Sequence, residues 1–260
     1  MAKTYRILYM NSFSRSGETL MLRTLNAHRK IHVLHQLHQT KDEIELQYDI
    51  FKKIKYDKPT ELRLETEEIE KLGIEESKEI LLVKNAIFLN RDSTFSFELL
   101  RNPFSVFASY QKLASNLPDN RMQMKNWAKN INGLLIYNIK NMDFLDAFFS
   151  IYLYKVSKEI EISDALIRYE DFVEDHRTYL SRLLEKLGIE WDEAVVSAET
   201  KYADGEMGHG GIHLWHPIDG SRAWKLPRNL SKSEKHRIFA YTAKMLERYY
   251  PEIDLGKYLK

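Results

Sequence analysis

The sequence predicts an α/β fold, a single domain in which a central parallel sheet of about five strands is flanked by helices. Short apolar runs rich in β-branched and aromatic residues recur along the chain, and segments with helical periodicity alternate with them. One run, ILLVKNAIFL at residues 80–89, is almost continuously apolar, as expected of a strand buried on both faces. Such alternation favours a parallel sheet with helices on both sides.

The composition is that of an ordinary globular chain. Its 260 residues carry 39 Lys and Arg against 38 Asp and Glu, a net charge of +1, so any anion site must be local. With 43% hydrophobic residues the chain is too apolar for disorder, and its apolar runs are shorter than the roughly 18 residues that span a bilayer. No Cys is present, which excludes disulfides and thiolate metal sites. We expect a cytoplasmic protein that needs no membrane or nucleic-acid partner.

Several elements can be placed along the chain. Asp175 is expected to cap a helix, and Ser231 with Glu234 forms a capping box before another. Phe144, Phe148 and Tyr152 fall four residues apart, which favours a core-facing helix stripe over a cofactor stack. The strands are predicted at residues 5–13, 31–37, 80–89, 95–100 and 165–168.

Three variable regions lie between these elements. Residues 41–79 are highly charged, with apolar residues at helical spacing, and predict a peripheral helical insert. Residues 119–161 are the most aromatic part and predict a helical region on one side of a ligand pocket. Residues 203–227 hold many Gly and His residues without a clear period, which predicts an ordered functional loop or a lid.

The sharpest local feature is the segment SFSRSGET, where the first strand ends and a helix begins. A turn of this kind presents backbone N–H groups and the positive end of a helix to an anion. Gly17 lets the backbone approach a ligand closely, and Arg15 adds a permanent positive charge. Further donors are the hydroxyls of Ser14, Ser16 and Thr19. The alternative is a Ser-rich turn that only caps a helix.

The main alternative interpretation of this segment is a P-loop that binds a nucleoside triphosphate. Its signature needs a Lys directly before the magnesium-binding hydroxyl, but Glu18 stands there in this chain. Position 12 is Ser where that signature has its first Gly. Both departures disfavour ordinary ATP or GTP chemistry.

A second group of residues lies after a later strand. Arg101 ends that strand, Asn102 and Pro103 follow, and Ser109 comes eight positions after Arg101. Together with the first loop, this pattern resembles the sulfotransferases that use 3′-phosphoadenosine 5′-phosphosulfate (PAPS). The resemblance implies a fold similar to that of P-loop kinases. It also implies that residues 14–19 bind the 5′-phosphosulfate, and that Arg101 and Ser109 hold the 3′-phosphate.

Two more segments are similar to the same family. The run RYEDFV at residues 168–173 resembles the family segment whose Tyr lies at the adenine, which implies that role for Tyr169. The run GSRAW at residues 220–224 resembles the loop that closes on the 3′-phosphate, which implies that Arg222 contacts it. The desulfonated product would be 3′-phosphoadenosine 5′-phosphate (PAP), and the family needs no metal.

The resemblance also implies catalytic roles. Arg15 would stabilise the leaving group and Lys84 would steady the sulfonate, while the family's basic His, two residues after that Lys, is replaced by Ala86. An alcohol acceptor still needs a base. We favour His35 or His209; the other candidates are His38, His213, His216, Glu18 and Glu98.

Glu18 is a second departure, because the family usually has a hydroxyl residue there. A carboxylate would repel an anionic donor, so we expect it to turn aside, towards Arg15, Arg23 or an acceptor group. The sequence thus predicts sulfuryl transfer from PAPS to a hydroxyl or amine of a small-molecule or carbohydrate acceptor. The alternatives are a nucleotide-dependent kinase and a non-catalytic PAP/PAPS-binding protein. The second stays open because Ala86 stands where the family has its basic His.

Overall fold

The structure, a computed structural model, describes residues 2–34, 50, 54, 59–86, 89, 95–114, 120–131, 135–208, 212–221 and 223–259. In the described residues the main sheet has six strands. In chain order they are β1 (Lys3–Ser12), β2 (Ile31–Leu34), β3 (Glu61–Leu64), β4 (Ile80–Asn85), β5 (Ser96–Leu100) and β6 (Ala165–Arg168).

Five of these strands run parallel, in the spatial order β2-β4-β1-β5-β6. β1 lies in the middle because its apolar run, YRILYM, can be covered on both faces, and all its residues from Ile7 onward are buried. The predicted α/β class with a central, mostly parallel sheet of about five strands is confirmed. The carboxyl ends of β1, β4 and β5 meet at one edge of this sheet, where ligands bind in open α/β folds.

The sixth strand, β3, corrects one prediction. Residues 41–79 were expected to be helical, but Glu61–Leu64 forms a strand that pairs antiparallel with Lys3–Arg6 of β1. Leu62 and Leu64 alternate with the exposed Glu61 and Arg63, which is the two-residue period of a half-buried strand. Pro59 precedes it and disfavours a continuing helix. Within 59–79 the helix that does form is α2 (Thr66–Lys71), whereas residues 41–49, 51–53 and 55–58 of the predicted insert lie outside the described residues.

Helices cover both faces of the sheet. α1 (Glu18–Asn26) lies on one face together with the later helix His176–Lys186, and the long helix Phe144–Ile162 lies on the other. The remaining helices, in chain order, are α3 (Pro103–Ala114), α4 (Asn120–Ile131), α5 (Leu135–Ile139), α6 (Phe144–Ile162), α7 (Tyr169–Glu174), α8 (His176–Lys186), α9 (Lys232–Tyr249) and α10 (Leu255–Tyr258). Residues 119–161, predicted to be helical, hold α4, α5 and α6 within their described part.

The helix caps and the aromatic stripe follow the sequence. The Asp175 carboxylate accepts the Thr178 N–H at the start of α8, and Ser231 and Glu234 form the capping box of α9. On α6, Phe148 and Tyr152 are buried with their ring planes stacked at a centroid distance of 6.3 Å. The stripe is therefore a core face, as predicted.

The late segment at residues 203–227 is ordered against the body of the protein in its described part. It contains a short antiparallel pair, β7 (Met207–Gly208) and β8 (Ile212–His213). Among the described residues, no helix has the length and apolar character to cross a membrane.

Candidate functional site

The loop between β1 and α1 lies at the carboxyl edge of the sheet. Its backbone turns at Ser16, whose N–H donates to the Phe13 carbonyl over 3.0 Å. Arg15 and Gly17 both have left-handed backbone angles, with φ of +78° and +100°. Left-handed residues in such a turn direct successive N–H groups into one concavity, which is an arrangement that binds anions.

The carboxylate of Glu18 lies in this concavity. Its Oε1 accepts the Arg15 N–H and its Oε2 accepts the Gly17 N–H, each over 3.2 Å. Glu18 is the first residue of α1, is only 9% exposed, and places its negative charge at the positive end of the helix. Rather than turning aside, as expected from the sequence, Glu18 therefore binds the loop backbone.

Arg15, Arg101 and Ser109 are brought together. Arg15 Nε donates to Ser109 Oγ over 3.1 Å, and Arg101 Nη1 donates to the Arg15 carbonyl over 3.0 Å. Ser109 lies on α3, two turns after Arg101, so its hydroxyl faces the same edge of the sheet as the loop. Two motifs more than eighty residues apart in sequence thus form one cationic site.

Tyr169 completes one side of this site. The Arg101 guanidinium lies 4.4 Å from the centroid of the Tyr169 ring, which is a cation–π contact. The same ring packs directly on Gly17, where a Cβ atom would be 2.2 Å from Tyr169 Cδ2. A flat aromatic surface therefore borders the loop, beside the arginine.

Lys84 lies near the end of β4 and opposite Met10 of β1. Burial lowers the pKa of its ammonium group, the negative charge of Glu18 acts in the opposite direction, and the positive charge of Arg15 adds to the lowering. These influences show that Lys84, Glu18 and Arg15 share one local electrostatic environment. The charges of Lys84, Glu18 and Arg15 are thus close enough to interact, and the catalytic roles predicted for Arg15 and Lys84 stay predictions.

Asn102, in the turn after β5, and Glu170, on α7, have no role predicted from the sequence. Asn102 accepts the Phe104 N–H over 2.9 Å and so caps α3, and its own N–H donates to Glu170 Oε1 over 3.0 Å. Glu170 also accepts a hydrogen bond from the Tyr250 hydroxyl, and burial raises the pKa of its carboxyl group. The buried carboxyl group of Glu170 thus holds in place the turn that carries Arg101. In the sequence, the features that could have indicated this contact are the Asn102-Pro103 pair and Glu170 of the run RYEDFV.

A buried polar cluster lies beneath the same edge of the sheet. Asn85 Nδ2 donates to Asn11 Oδ1 over 3.1 Å and to Glu159 Oε1 over 3.0 Å. Lys155 pairs with Glu159 and also donates to the Asn85 carbonyl over 3.0 Å. Glu98, opposite Asn11, is fully buried there, and burial together with the charge of Glu159 raises the pKa of its carboxyl group well above the ordinary value. Glu98, a candidate base from the sequence, is enclosed in this cluster.

The late segment is held against α1 by a buried arginine. Arg23 Nη1 donates to the Leu214 carbonyl over 2.9 Å and to the His216 carbonyl over 2.6 Å. Gly208 of β7 approaches Thr19, the second residue of α1, so closely that a Cβ atom would lie 3.0 Å from Thr19 Cγ2. The late segment therefore borders the start of α1. His213 and His216 stack on each other at 4.7 Å, outside the contacts that join Arg15, Arg101 and Ser109.

The structure brings together most of the predicted site residues. They are Ser14, Arg15, Ser16, Gly17, Glu18, Thr19, Lys84, Arg101, Ser109 and Tyr169. His35, His209 and Arg222 lie outside the described residues, so their predicted roles stay predictions. No group of three or more His, Asp or Glu side chains suited to a metal occurs within the ranges that the structure describes.

The fold of this chain is similar to that of solved sulfotransferase structures. The chain is similar to the sulfotransferase domain of the Synechococcus PCC 7002 olefin synthase, with a TM-score of 0.54 and 17% identity over 93% of this chain and 96% of that domain. It is also similar to a sulfotransferase domain from the curacin biosynthetic pathway (TM-score 0.45, 20% identity, 92% and 97% coverage) and to a mouse sulfotransferase complexed with PAP (0.49, 12%, 97% and 88%). No protein-family model and no curated protein matches the chain.

Proposed function

We propose that this protein is a sulfotransferase that moves a sulfuryl group from PAPS to a hydroxyl or amine of a small-molecule or carbohydrate acceptor. The fold is that of sulfotransferases, but the donor and the reaction are argued from the chain's own residues. The observation that carries the proposal is the pair of hydrogen bonds that joins Arg15 to Ser109 and to Arg101. These bonds connect the loop with the Arg101–Ser109 motif, and the sequence predicts that each of the two binds a phosphate group.

The residues present fit a nucleotide with phosphate groups at both ends. The loop concavity offers the N–H groups of Arg15 and Gly17 to one anion, since it already holds a carboxylate there. Arg101 offers the second site. Its Nε is buried and has no hydrogen-bond partner within the described residues. The N–H of this atom is therefore a donor for an oxygen of the bound phosphate group. The Tyr169 ring beside it is suited to stacking on a planar base.

The charges around the loop fit the demands of group transfer. When bound, the donor supplies a sulfuryl group whose bond to the 5′-phosphate oxygen breaks as the acceptor bonds to sulfur. The leaving oxygen gains negative charge, and a fixed cation beside it lowers the barrier. Arg15 is the residue proposed for this role because it belongs to the loop, and Lys84 is proposed to orient the sulfonate oxygens because its charge interacts with those of Glu18 and Arg15.

The proton of the acceptor must leave as the new bond forms. Ala86 has no titratable side chain, and Glu98 is enclosed in the buried cluster. His35 or His209 is the proposed proton acceptor. An amine acceptor, whose nucleophile is a free lone pair, depends less on such a base.

The direct test is transfer from PAPS labelled with radioactive sulfur to the compounds of a mixed metabolite extract, followed by identification of the labelled product. Transfer that needs this protein supports the proposal. Tight PAP binding without any transfer to a broad acceptor panel would instead support the non-catalytic binder. Failure to bind PAP or PAPS would contradict the site assignment.

Two variants and a control separate binding from turnover. Arg101→Ala is expected to weaken PAP binding by about 2–4 kcal/mol, a loss of roughly 30- to 1000-fold, because it removes charge-assisted hydrogen bonds. Arg15→Ala is expected mainly to lower kcat, because its charge acts on the leaving group. Arg63→Ala removes an equal charge from an exposed position on strand β3 and should change neither quantity. Parental behaviour of both site variants would refute the assignment.

A further inference from the structure

The anion concavity of the loop is occupied by a side chain of the protein itself. Both N–H groups that converge in it, those of Arg15 and Gly17, already donate to the two carboxylate oxygens of Glu18. A loop of this form binds phosphate through the same N–H groups. The carboxylate and a donor phosphate cannot use these N–H groups at the same time.

The surroundings favour an anion at this point whether or not a ligand is bound. The positive end of α1 lies at this point, and Lys84 is close enough to Glu18 and to Arg15 for the charges to interact. The hydroxyl of Ser12, just before the loop, is fully buried and has no hydrogen-bond partner within the part of the chain that the structure describes. The site is thus polar and positively charged, and Glu18 supplies the negative charge it needs.

We propose that Glu18 is an internal competitor of the donor, whose carboxylate must leave the loop before the 5′ group of PAPS or PAP can bind. This inference rests on the proposed function, because it concerns the same site. The protein then exists as two states, one with Glu18 in the loop and one with the loop free. Only the second state binds the 5′ group, so the apparent affinity is lowered by the fraction of molecules whose loop is free.

The alternative is that Glu18 only stabilises the start of α1. Its carboxylate sits at the helix N-terminus, where acidic residues are favourable in any case. A purely stabilising Glu18 would keep its place while the donor binds through other groups, so removing its carboxylate would leave PAP affinity unchanged. The two readings therefore differ in what happens to nucleotide binding when the carboxylate is removed.

The test compares two nucleotides by calorimetry. PAP carries both phosphates, whereas 3′-AMP lacks the 5′ group and can engage only the Arg101 and Ser109 side of the site. In Glu18→Gln and Glu18→Thr, PAP affinity is expected to rise about tenfold or more, while 3′-AMP affinity stays within about twofold of the parent. Glu70→Gln, which removes an exposed carboxylate from α2, should leave both affinities unchanged because a distant exposed charge is screened.

Each result is decisive. A rise for PAP alone supports the competitor, and two chemically different replacements guard against one that folds poorly, which thermal unfolding of each variant would reveal. Equal rises for both nucleotides, no rise, or a loss would overturn it. If the parent binds PAP and the Glu18 variants bind it no tighter, only this inference fails. If neither parent nor variants bind PAP, the proposed function fails with it.

Discussion

Gly17 and Tyr169 pack so closely that no side chain fits between them. A Cβ atom on Gly17 would lie 2.2 Å from Tyr169 Cδ2 and 2.3 Å from Cε2, and the backbone of Gly17 has φ of +100°. The glycine is therefore required both by its conformation and by its neighbour. Because Tyr169 also lies beneath Arg101, this contact ties the loop to the second cationic residue of the site.

The first prediction concerns this contact. Gly17→Ala should destabilise the protein by about 2–5 kcal/mol, because the left-handed backbone and the overlap with Tyr169 both add cost. Gly205→Ala is the matched control, since Gly205 has φ of +92° and nothing within 4 Å of its added Cβ. It should lose only about 1–2 kcal/mol. Urea unfolding measures both, and equal losses would show that Tyr169 does not constrain Gly17.

The second prediction concerns Arg23, which joins α1 to the late segment. Arg23→Met keeps the length of the side chain but removes the hydrogen bonds to the Leu214 and His216 carbonyls. We expect faster hydrogen exchange and faster proteolysis within residues 203–221, because one buried and one partly buried carbonyl lose their partner. Arg29→Ala, which breaks an exposed ion pair with Glu190, is the control and should change stability by less than about 1 kcal/mol. Unchanged exchange in the Arg23 variant would contradict the role.

The third prediction concerns the buried pair of Lys155 and Glu159, both of which are fully buried. Lys155→Met should destabilise the protein by about 3–5 kcal/mol, because it leaves a carboxylate buried without its cation. Adding Glu159→Leu should recover much of this loss, since an apolar pair has no charge to desolvate. Urea unfolding of the single and double variants tests the coupling. Strictly additive losses would mean that the two charges do not depend on each other.

The fourth prediction concerns pH. The pKa of the Glu98 carboxyl is raised in the folded protein, first by burial and then by Glu159, with Lys155 acting in the opposite direction. Between the ordinary Glu pKa of about 4.3 and this higher value, the folded state holds a proton that the unfolded state has lost. The stability that comes from the protonated Glu98 is therefore fully present below pH 4.3 or so and falls as the pH rises.

Glu98→Gln removes this dependence, because the amide does not titrate. The stability of the variant relative to the parent should rise with pH above about 4.3, by up to roughly 1.4 kcal/mol per pH unit. Taking the difference between the two proteins cancels the contribution of Glu170, whose pKa is also raised. Urea unfolding from pH 4 to pH 8 provides the measurement. A constant difference across this range would contradict the raised pKa.

Apolar periodicity was enough to predict the parallel strands and the core face of α6, because these depend on local patterns repeated over many residues. β3 was missed because it is short and charged, and only its pairing with β1 reveals it. Lys155 and Glu159, spaced four residues apart, are typical of an exposed helix surface. Their burial follows from the packing of α6 under the sheet, which no local pattern records.

The candidate site likewise has features that the sequence predicts and one that it does not. The spacing of Arg101 and Ser109 and the loop after β1 could be recognised from residue types alone, and the structure places them in contact through Arg15. The position of the Glu18 carboxylate could not be predicted. It depends on the left-handed backbone of Arg15, a residue type that gives no sign of that conformation in sequence.

The polar row formed by Asn85, Asn11 and Glu98 on three neighbouring strands bears on how the sheet assembles. Side chains alternate between the faces of a strand, so a slip of β1 by one residue would turn Asn11 into the apolar layer and bring Met10 or Ser12 to face the buried ion pair of α6. Such a misaligned pairing would take Asn11 away from Asn85 and leave a buried polar group without its hydrogen-bond partner. The polar row therefore favours a single register of the central strands, at some cost in the free energy of unfolding.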